Sequence, residues 1–389
     1  MELKAFILAF TLFSSVKAQY GTCDYAGTIT SAGGSLNLNH AAATGTCRYK
    51  ILAPVDTYIS ATCSITLKDT SCNSRFLVSR SGEKDLRDYI SYCSSTSLTI
   101  SSIGNELVVV IVSNATYPGS FSCTFKSNAL DNTNCDCGWV GIPKIVGGQP
   151  TNINEYISHV GMVNKRTDEI YCGGVILKQR FVLIAAHCVY ANNDITNTLI
   201  LAGDFDVSTK IDTKWSTLYA VNKFIIHPGY SETTGQNDIA LVQTNGYIRF
   251  NYGVGPACMP YTFNNYNWDN RKLTAVGWGA TSFAGSASST QLKASLTCVN
   301  SGTCASQIAS SDPSKVINAN NICTFGNGIK DTCAMDSGGG LYWFANRNYI
   351  IGIVNYGIYC ASKYPSVNAR VDKYFSFIET NVGFLCRKT

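Results

Sequence analysis

Short alternating runs of apolar and polar residues dominate the first third of the chain. YISATCSITL (Tyr58–Leu67) and NELVVVIVSN (Asn105–Asn114) each read as a strand, and Gly-containing turns separate such runs. No long stretch has a period of 3.6, so Tyr20 to Lys126 is predicted to form a β-sandwich. The polar, turn-rich segment SNALDNTNCDCGWVGIPK (Ser127–Lys144) follows. Beyond it the texture changes, and strands rich in Val, Ile, Leu, Tyr and Trp run towards the end. The segment RVDKYFSFIETNV is different: its apolar residues at 371, 374, 375 and 378 have helical spacing, which predicts one C-terminal helix. The chain is therefore expected to be all-β, with a leader (1–18), a sandwich (19–128), a linker (129–144) and a larger β unit closed by a helix (145–389).

In the leader, Lys4 precedes an apolar run from Ala5 to Phe13, and Val16-Lys17-Ala18 approximates a small-x-small cleavage pattern. The run is about half of the ~20 residues that a membrane span needs. A signal peptide removed before Gln19, and hence secretion, is expected rather than an anchor. No later segment is long and apolar enough to span. The formal net charge is +5, but the basic residues are scattered with no run of five or six, which speaks against a nucleic-acid partner. In a secreted chain the 17 Cys imply disulfides, with one thiol left free or paired outside the chain. Zinc fits poorly, because no close Cys pair is joined by a His at ligand spacing; no metal or cofactor is expected. Asn114-Ala115-Thr116 is the only N-x-S/T sequon and is predicted to carry a glycan on a surface loop.

The sandwich region has an early Cys pair, Cys23 and Cys47, then SCNSRFLVSR and YISYC with Cys72 and Cys93, then LVVVIVSN and GSFSCTF. In this order it resembles a CUB domain. The resemblance implies the bridges Cys23–Cys47 and Cys72–Cys93, and a possible role in binding a protein partner. Cys63 and Cys123 are extra to that pattern and are expected to bridge the first and last strands. Many CUB domains bind calcium through acidic residues after the third family Cys. Here that place reads Asn73-Ser74-Arg75-Phe76, so no such calcium site is expected.

The chain has four His: 40, 159, 187 and 227. His187 ends the apolar run VLIAAHC. Asp238 lies within QNDIALVQ, and Ser337 lies within DTCAMDSGGG. A serine hydroxyl is a weak nucleophile until a base takes its proton, and the base needs an acid to fix its tautomer. The order His, Asp, Ser, with about 50 and about 100 residues between members, is one known solution to this requirement. IVGG, CGGVIL, AAHC, HPGY, NDIALV, GWG, DSGG and YPSVNARV then occur in sequence order from Ile145 onward. This part of the chain resembles the trypsin/chymotrypsin family of serine proteases along its whole length. With the CUB-like region and the CDCGW linker, it is most similar to the insect venom and salivary CUB–serine proteases.

The resemblance implies two packed six-stranded β-barrels with the active site between them. It makes His187 the general base, Asp238 its orienting acid and Ser337 the nucleophile. The amides of Met335 and Ser337 would form the oxyanion hole. Cleavage after Lys144 by an activating protease would free the Ile145 amine to pair with Asp336, so that the chain is made as a zymogen. Asp331 would lie at the base of a trypsin-like pocket, with Asn355, Gly357 and Ser366 also on the substrate side. The implied bridges are Cys172–Cys188, Cys304–Cys323 (clipping a surface loop), Cys333–Cys360 and Cys137–Cys258, the last tethering the N-terminal region after cleavage. Cys135, Cys298 and Cys386 stay unassigned.

Four residues depart from the family pattern. Met335 and Ser366 stand where it has Gly, Asn355 where it has Ser, and Gly340 where it has Pro. Asn355 could still hydrogen-bond near Asp238, and Gly340 is expected to loosen its turn. The expected function is a secreted endopeptidase cutting peptides and proteins after Lys or Arg. The alternative is a catalytically impaired homologue acting as a binding protein, for which Met335 is the main argument.

Overall fold

The computed structural model describes residues 22–43, 45–68, 71–82, 89–130, 135–140, 153–191, 193–209, 212–279, 287–326, 337–357, 364–383 and 385–387. The chain divides into two compact units, with the boundary after Leu130.

The N-terminal unit contains β1 (Thr22–Thr28), β2 (Ser35–Ala43), β3 (Gly45–Leu52), β4 (Thr57–Leu67), β5 (Arg75–Ser79), β6 (Tyr89–Tyr92), β7 (Thr96–Ser101), β8 (Glu106–Ser113) and β9 (Gly119–Ala129). They form a five-stranded sheet, β1-β3-β8-β5-β6, and a four-stranded sheet, β2-β9-β4-β7. This arrangement fits the predicted β-sandwich. In β4 the alternation is clean: Ile59, Ala61, Cys63, Ile65 and Leu67 are buried, and the residues between them are not. The unbroken apolar run of β8 has a different cause. Leu107, Val109 and Ile111 face the main core, while Val108 and Val110 pack with Leu77 in a second cluster.

Three disulfides staple this unit. Cys23–Cys47 joins the parallel pair β1 and β3, in which the two Cys are register partners. Cys72–Cys93 also forms. Cys63 pairs with Cys123, but the bridge does not join the first strand to the last. It links β4 to β9, which are sheet neighbours with the two Cys directly opposite each other.

The second unit holds two closed barrels. The first comprises β10 (His159–Asn164), β11 (Glu169–Lys178), β12 (Phe181–Ile184), β13 (Thr198–Ala202), β14 (Thr217–Ile226) and β15 (Ala240–Thr244). The second comprises β16 (Lys272–Gly277), β17 (Leu292–Val299), β18 (Asn321–Phe325), β19 (Gly340–Phe344), β20 (Asn348–Tyr356) and β21 (Ser366–Arg370). Their closed orders are β10-β11-β12-β15-β14-β13 and β16-β17-β18-β21-β20-β19. A shared core joins them: Val175 and Leu183 from the first barrel pack in one cluster with Tyr342 and Ile353 from the second.

Among the described residues three α-helices accompany the barrels: α1 (His187–Tyr190), α2 (Ser301–Ser311) and α3 (Phe375–Val382). The predicted C-terminal helix is α3, preceded by a 3₁₀ turn at Val371–Lys373. Apolar spacing does not announce α2, because only Cys304 and Ile308 are buried on it. The Asn300 side chain caps its first turn by accepting from the amides of Gly302 and Thr303. Cys304–Cys323 therefore pins a helix to β18 instead of clipping a loop.

The segment 135–140 is built into this unit. Cys137–Cys258 forms as the resemblance implied, and Cys135 pairs with Cys386. Asp136 pairs with Arg347 at 2.7 Å. Gly138, at φ 62°, donates its amide to the Pro256 carbonyl and accepts from the Asn348 amide. A Cβ at Gly138 would meet Asn348 backbone at 2.6 Å, which is why glycine stands there. Among the described residues Cys298 is the one free thiol; burial pushes it up to about 12, so it stays protonated and unreactive.

Candidate active site

His187 and Asp238 are brought together by adjacent strands. Ile184 of β12 and Ala240 of β15 are register partners, so the chain leaving one and the chain entering the other meet at the barrel end. His187 follows two residues after Ala185 and opens α1; Asp238 lies two residues before β15. Asp238 is buried and uses both oxygens on the same residue. Oδ1 accepts the His187 backbone N–H at 2.9 Å, and Oδ2 lies 2.8 Å from His187 Nδ1. The backbone bond fixes where the ring starts, and the ring bond fixes how it turns. Cys172–Cys188 braces this corner, and the Cys188 sulfur lies 3.8 Å from His187 Nε2. Cys172, His187 and Cys188 cluster tightly enough to suggest a metal centre. Both sulfurs are committed to the disulfide, so no thiolate is available to ligate one.

Ser337 comes from the second barrel, in the turn before β19. Its carbonyl accepts from the Gly173 amide of β11 at 2.8 Å, a bond that crosses between barrels. Gly338, at φ 80°, donates to the Val354 carbonyl at 2.7 Å. A Cβ at Gly338 would meet the Gly173 carbonyl at 2.5 Å, so this position combines a left-handed backbone with contact on the other barrel. The Ser337 hydroxyl donates to the Asn355 carbonyl at 3.3 Å.

Asn355, read as a departure from the family pattern, links the nucleophile to the acid. It is buried, and its amide Nδ2 donates to the main-chain carbonyl of Asp238. One residue thus receives the Ser337 hydroxyl on its backbone and holds Asp238 through its side chain. Gly340 lies under an aromatic ring. A Cβ there would lie 2.6 Å from Tyr342 Cε2, so the Tyr342 ring occupies the space that a larger residue would need. Ser366 is buried on β21, and its hydroxyl lies 3.0 Å from where a Cβ of Gly357 would sit, so these two positions do face each other.

Several neighbours were not singled out by sequence. Tyr230, Tyr356 and Tyr374 all have their phenols raised, first by burial and then by the charge of Asp238. They stay neutral around the acid. His159 on β10 is fully buried and tilted against Trp278, with ring centroids 5.1 Å apart. Neither of its ring nitrogens has a hydrogen-bond partner among the described residues, and burial holds it down to about 3. Its ring also lies beside Gly173, whose amide holds Ser337. Lys144, Ile145, Asp331, Cys333, Met335, Asp336 and Cys360 lie outside the described residues.

Comparison with known proteins follows the same geography. The Trypsin family model matches residues 145–378, spanning both barrels and the first turn of α3. Venom serine protease 34 from Apis mellifera is 37% identical over 298 residues, covering 74% of this chain and 70% of the bee protein. A venom serine protease from Polistes dominula is 34% identical over 250 residues, 63% of this chain and 87% of that protein. Trypsin, alkaline A from Manduca sexta is 34% identical over 245 residues, 61% of this chain and 91% of that trypsin. These relatives are proteases, and they lend no support to an impaired binding homologue. With its paired barrels and the matched family model, the chain belongs to the trypsin family of serine proteases and is a serine endopeptidase.

Proposed function

We propose that the protein is a secreted, trypsin-like endopeptidase, made as a zymogen, in which Ser337, His187 and Asp238 carry the chemistry. The observation that carries this reading is the double grip of Asp238 on His187, with bonds of 2.9 and 2.8 Å to its backbone and ring. Ser337 Oγ attacks the substrate carbonyl while its proton passes to His187 Nε2. For this the hydroxyl turns away from the Asn355 carbonyl on which it rests. The imidazolium, stabilised by Asp238, returns the proton to the leaving amine, and water then repeats the sequence on the acyl-enzyme. The amides of Met335 and Ser337 receive the developing oxyanion. Asp331 supplies the carboxylate that a substrate Lys or Arg would pair with, between the walls Gly357 and Ser366.

Cleavage after Lys144 would release the Ile145 amine to pair with Asp336, and breaking such a buried pair typically costs ~3–5 kcal/mol. The N-terminal unit is assigned as a CUB-like domain that meets a protein partner, with a glycan on Asn114. Fitting the latter, Asn114 sits in an open turn where its Oδ1 accepts the amides of Thr116 and Tyr117. The relatives' printed names include venom proteases, which suits secretion from a gland. No helix among the described residues is long and apolar enough to cross a membrane.

The test is labelling with an organophosphonate after limited trypsin treatment. The expected result is one adduct on Ser337 in the cleaved protein and none in a Lys144→Gln variant. A folded, cleaved chain that stays unlabelled would overturn the reading. After cleavage the two chains should part on a gel only when reduced, and should stay joined when either Cys135–Cys386 or Cys137–Cys258 alone is removed.

A further inference from the structure

His159 is the first residue of β10 and the register partner of Val175 on β11. Gly173, two residues before Val175, lies on the same face of the sheet and diagonal to His159. It has no side chain, and the His159 ring enters the room this leaves: a Cβ on Gly173 would meet His159 Cε1 at 3.1 Å. The same point lies 2.9 Å from the Cα of Gly339, in the turn after Ser337. Imidazole and nucleophile turn therefore share the space beside one glycine, whose amide holds the Ser337 carbonyl at 2.8 Å.

The ring also lies against Trp278, which follows β16 of the second barrel, with centroids 5.1 Å apart and planes at 33°. Trp278 is fixed in turn: it is buried, and its Nε1 donates to the carbonyl of Phe205, between β13 and β14, at 3.1 Å. The residue before His159 grips the second barrel too, because the Ser158 hydroxyl lies 3.2 Å from the Tyr342 hydroxyl on β19. Residues 158 and 159 thus bear on both strands next to Ser337: β19, which follows it, and β11 across the seam.

Hydrogen bonding does not explain a His at this place. It is buried, and among the described residues neither ring nitrogen has a partner, which costs stability. An apolar side chain would avoid that cost and suit a strand at least as well. What imidazole offers is a flat, stiff shape that lies on an indole and reaches a glycine with one ring carbon. We infer that His159 is a positioning residue for the nucleophile: wedged between Trp278 and Gly173, it sets the gap between the barrels and keeps the Gly173 amide on the Ser337 carbonyl. The inference rests on the proteolytic reading above. Without the wedge the two sides of the seam shift, and a displacement of about 1 Å at a reacting group can cost ~10²-fold in rate.

The experiment measures turnover per active site on a Lys ester, using the activated full-length protein with its sites counted by organophosphonate labelling. His159→Ala is expected to lower kcat per labelled site about 30-fold and to slow labelling by a similar factor, with KM changed by no more than about twofold. His159→Gln, whose planar amide can lie on the same indole, should recover to within about threefold of wild type. His159→Leu keeps the bulk without the flatness and should stay about tenfold down. The leucine variant also decides the question if the alanine variant does not fold. A residue that only supported the fold would instead reduce the number of sites that label and the melting temperature, leaving kcat per site unchanged. That result in the alanine or leucine variant overturns the inference, as does a glutamine variant no better than alanine. If wild type labels and cleaves while the variants match it, the role of His159 alone is lost. A wild type that neither labels nor cleaves loses the proteolytic reading as well.

Discussion

The two barrels share one closed strand order, offset by six strands, yet they contribute to the site in different ways. The first places His187 and Asp238 at the ends of β12 and β15, which are hydrogen-bonded neighbours. Acid and base are therefore positioned within one sheet. The second places Ser337 in the turn before β19 and Asn355 near the end of β20. These are not the strands equivalent to β12 and β15. Ser337 is held instead by bonds that cross the seam: its carbonyl to Gly173, and Asn355 from its own barrel to Asp238 in the other. The lesson is that the base is a property of one barrel, and the nucleophile is a property of the pairing. Disturbing the first barrel's pair should abolish proton transfer, and disturbing the seam should degrade it by degrees.

The most severe way to break this comparison is Asp238→Asn. Its Oδ1 could still accept the His187 backbone N–H, but its NH₂ would then face Nδ1. That selects the tautomer with the proton on Nε2, which cannot accept from Ser337. A fall in kcat of about 10⁴-fold is expected, the size known for this change elsewhere in the family, with the fold intact. Rates on a Lys ester, with thermal melting as a control, check it. A loss under tenfold would mean that the sheet-built pair is not what sets the tautomer.

His159 sits on the first barrel and faces Trp278 of the second, so it probes the seam through pH. Its folded value of about 3 lies below the ordinary 6.5, because burial disfavours the charged ring. Between those values the unfolded chain takes up a proton that the folded chain refuses. This contribution is therefore fully present above about pH 6.5 and is lost as pH falls, at about 1.4 kcal/mol per unit, towards pH 3. At pH 4 the loss amounts to about 3 kcal/mol. Denaturant melts of wild type and His159→Gln at several pH values should give curves whose difference has this slope. Parallel curves would mean that the ring is not buried neutral in solution.

Asn355→Ala removes the amide that holds the Asp238 carbonyl but leaves the backbone carbonyl that receives Ser337. A drop in kcat of about 30-fold with little change in KM is expected, because the loss of a buried hydrogen-bond partner costs about 1–3 kcal/mol. Asn355→Ser should recover part of it if its hydroxyl reaches either group. An equal loss in KM would instead place Asn355 on the substrate.

What the sequence made legible follows from distance along the chain. His187, Asp238 and Ser337 each sit in a short local pattern, and the barrels declare themselves through β-rich texture. The C-terminal helix shows because its apolar residues recur within two turns. Features made by pairing distant segments did not show. For Asn355 a bond near Asp238 was expected and is made, but its backbone contact with the Ser337 hydroxyl was not foreseen. Cys135 and Cys386 are separated by 251 residues, and nothing local marks them as partners. The packing of Tyr342 over Gly340 likewise shows only in the fold. The helix α2 was hidden by its small polar residues, although Asn300 as a cap was a usable signal.

The smallest expected effect sharpens the comparison at the pocket end of the second barrel. Ser366 is buried there, and its hydroxyl stands 3.0 Å from the position a Gly357 side chain would take. A pocket between these two residues is therefore narrower than one lined by two glycines. A guanidinium is planar and wider than an ammonium, and must lie flat to meet a carboxylate with two bonds. If Asp331 is that carboxylate, Lys substrates should lose little to Ser366 and Arg substrates should lose more. The usual Arg advantage should then be reduced or reversed, as a bias of a fewfold, because a slightly tight wall discriminates by only ~1–3 kcal/mol. Comparing kcat/KM on matched Lys and Arg peptides, Ser366→Gly should raise the Arg-to-Lys ratio without changing kcat on the Lys ester. A strong Arg preference in wild type that the substitution leaves in place would dismiss the wall argument. A preference for aromatic residues would dismiss Asp331 as the pocket acid as well, while leaving untouched the first barrel's hold on His187.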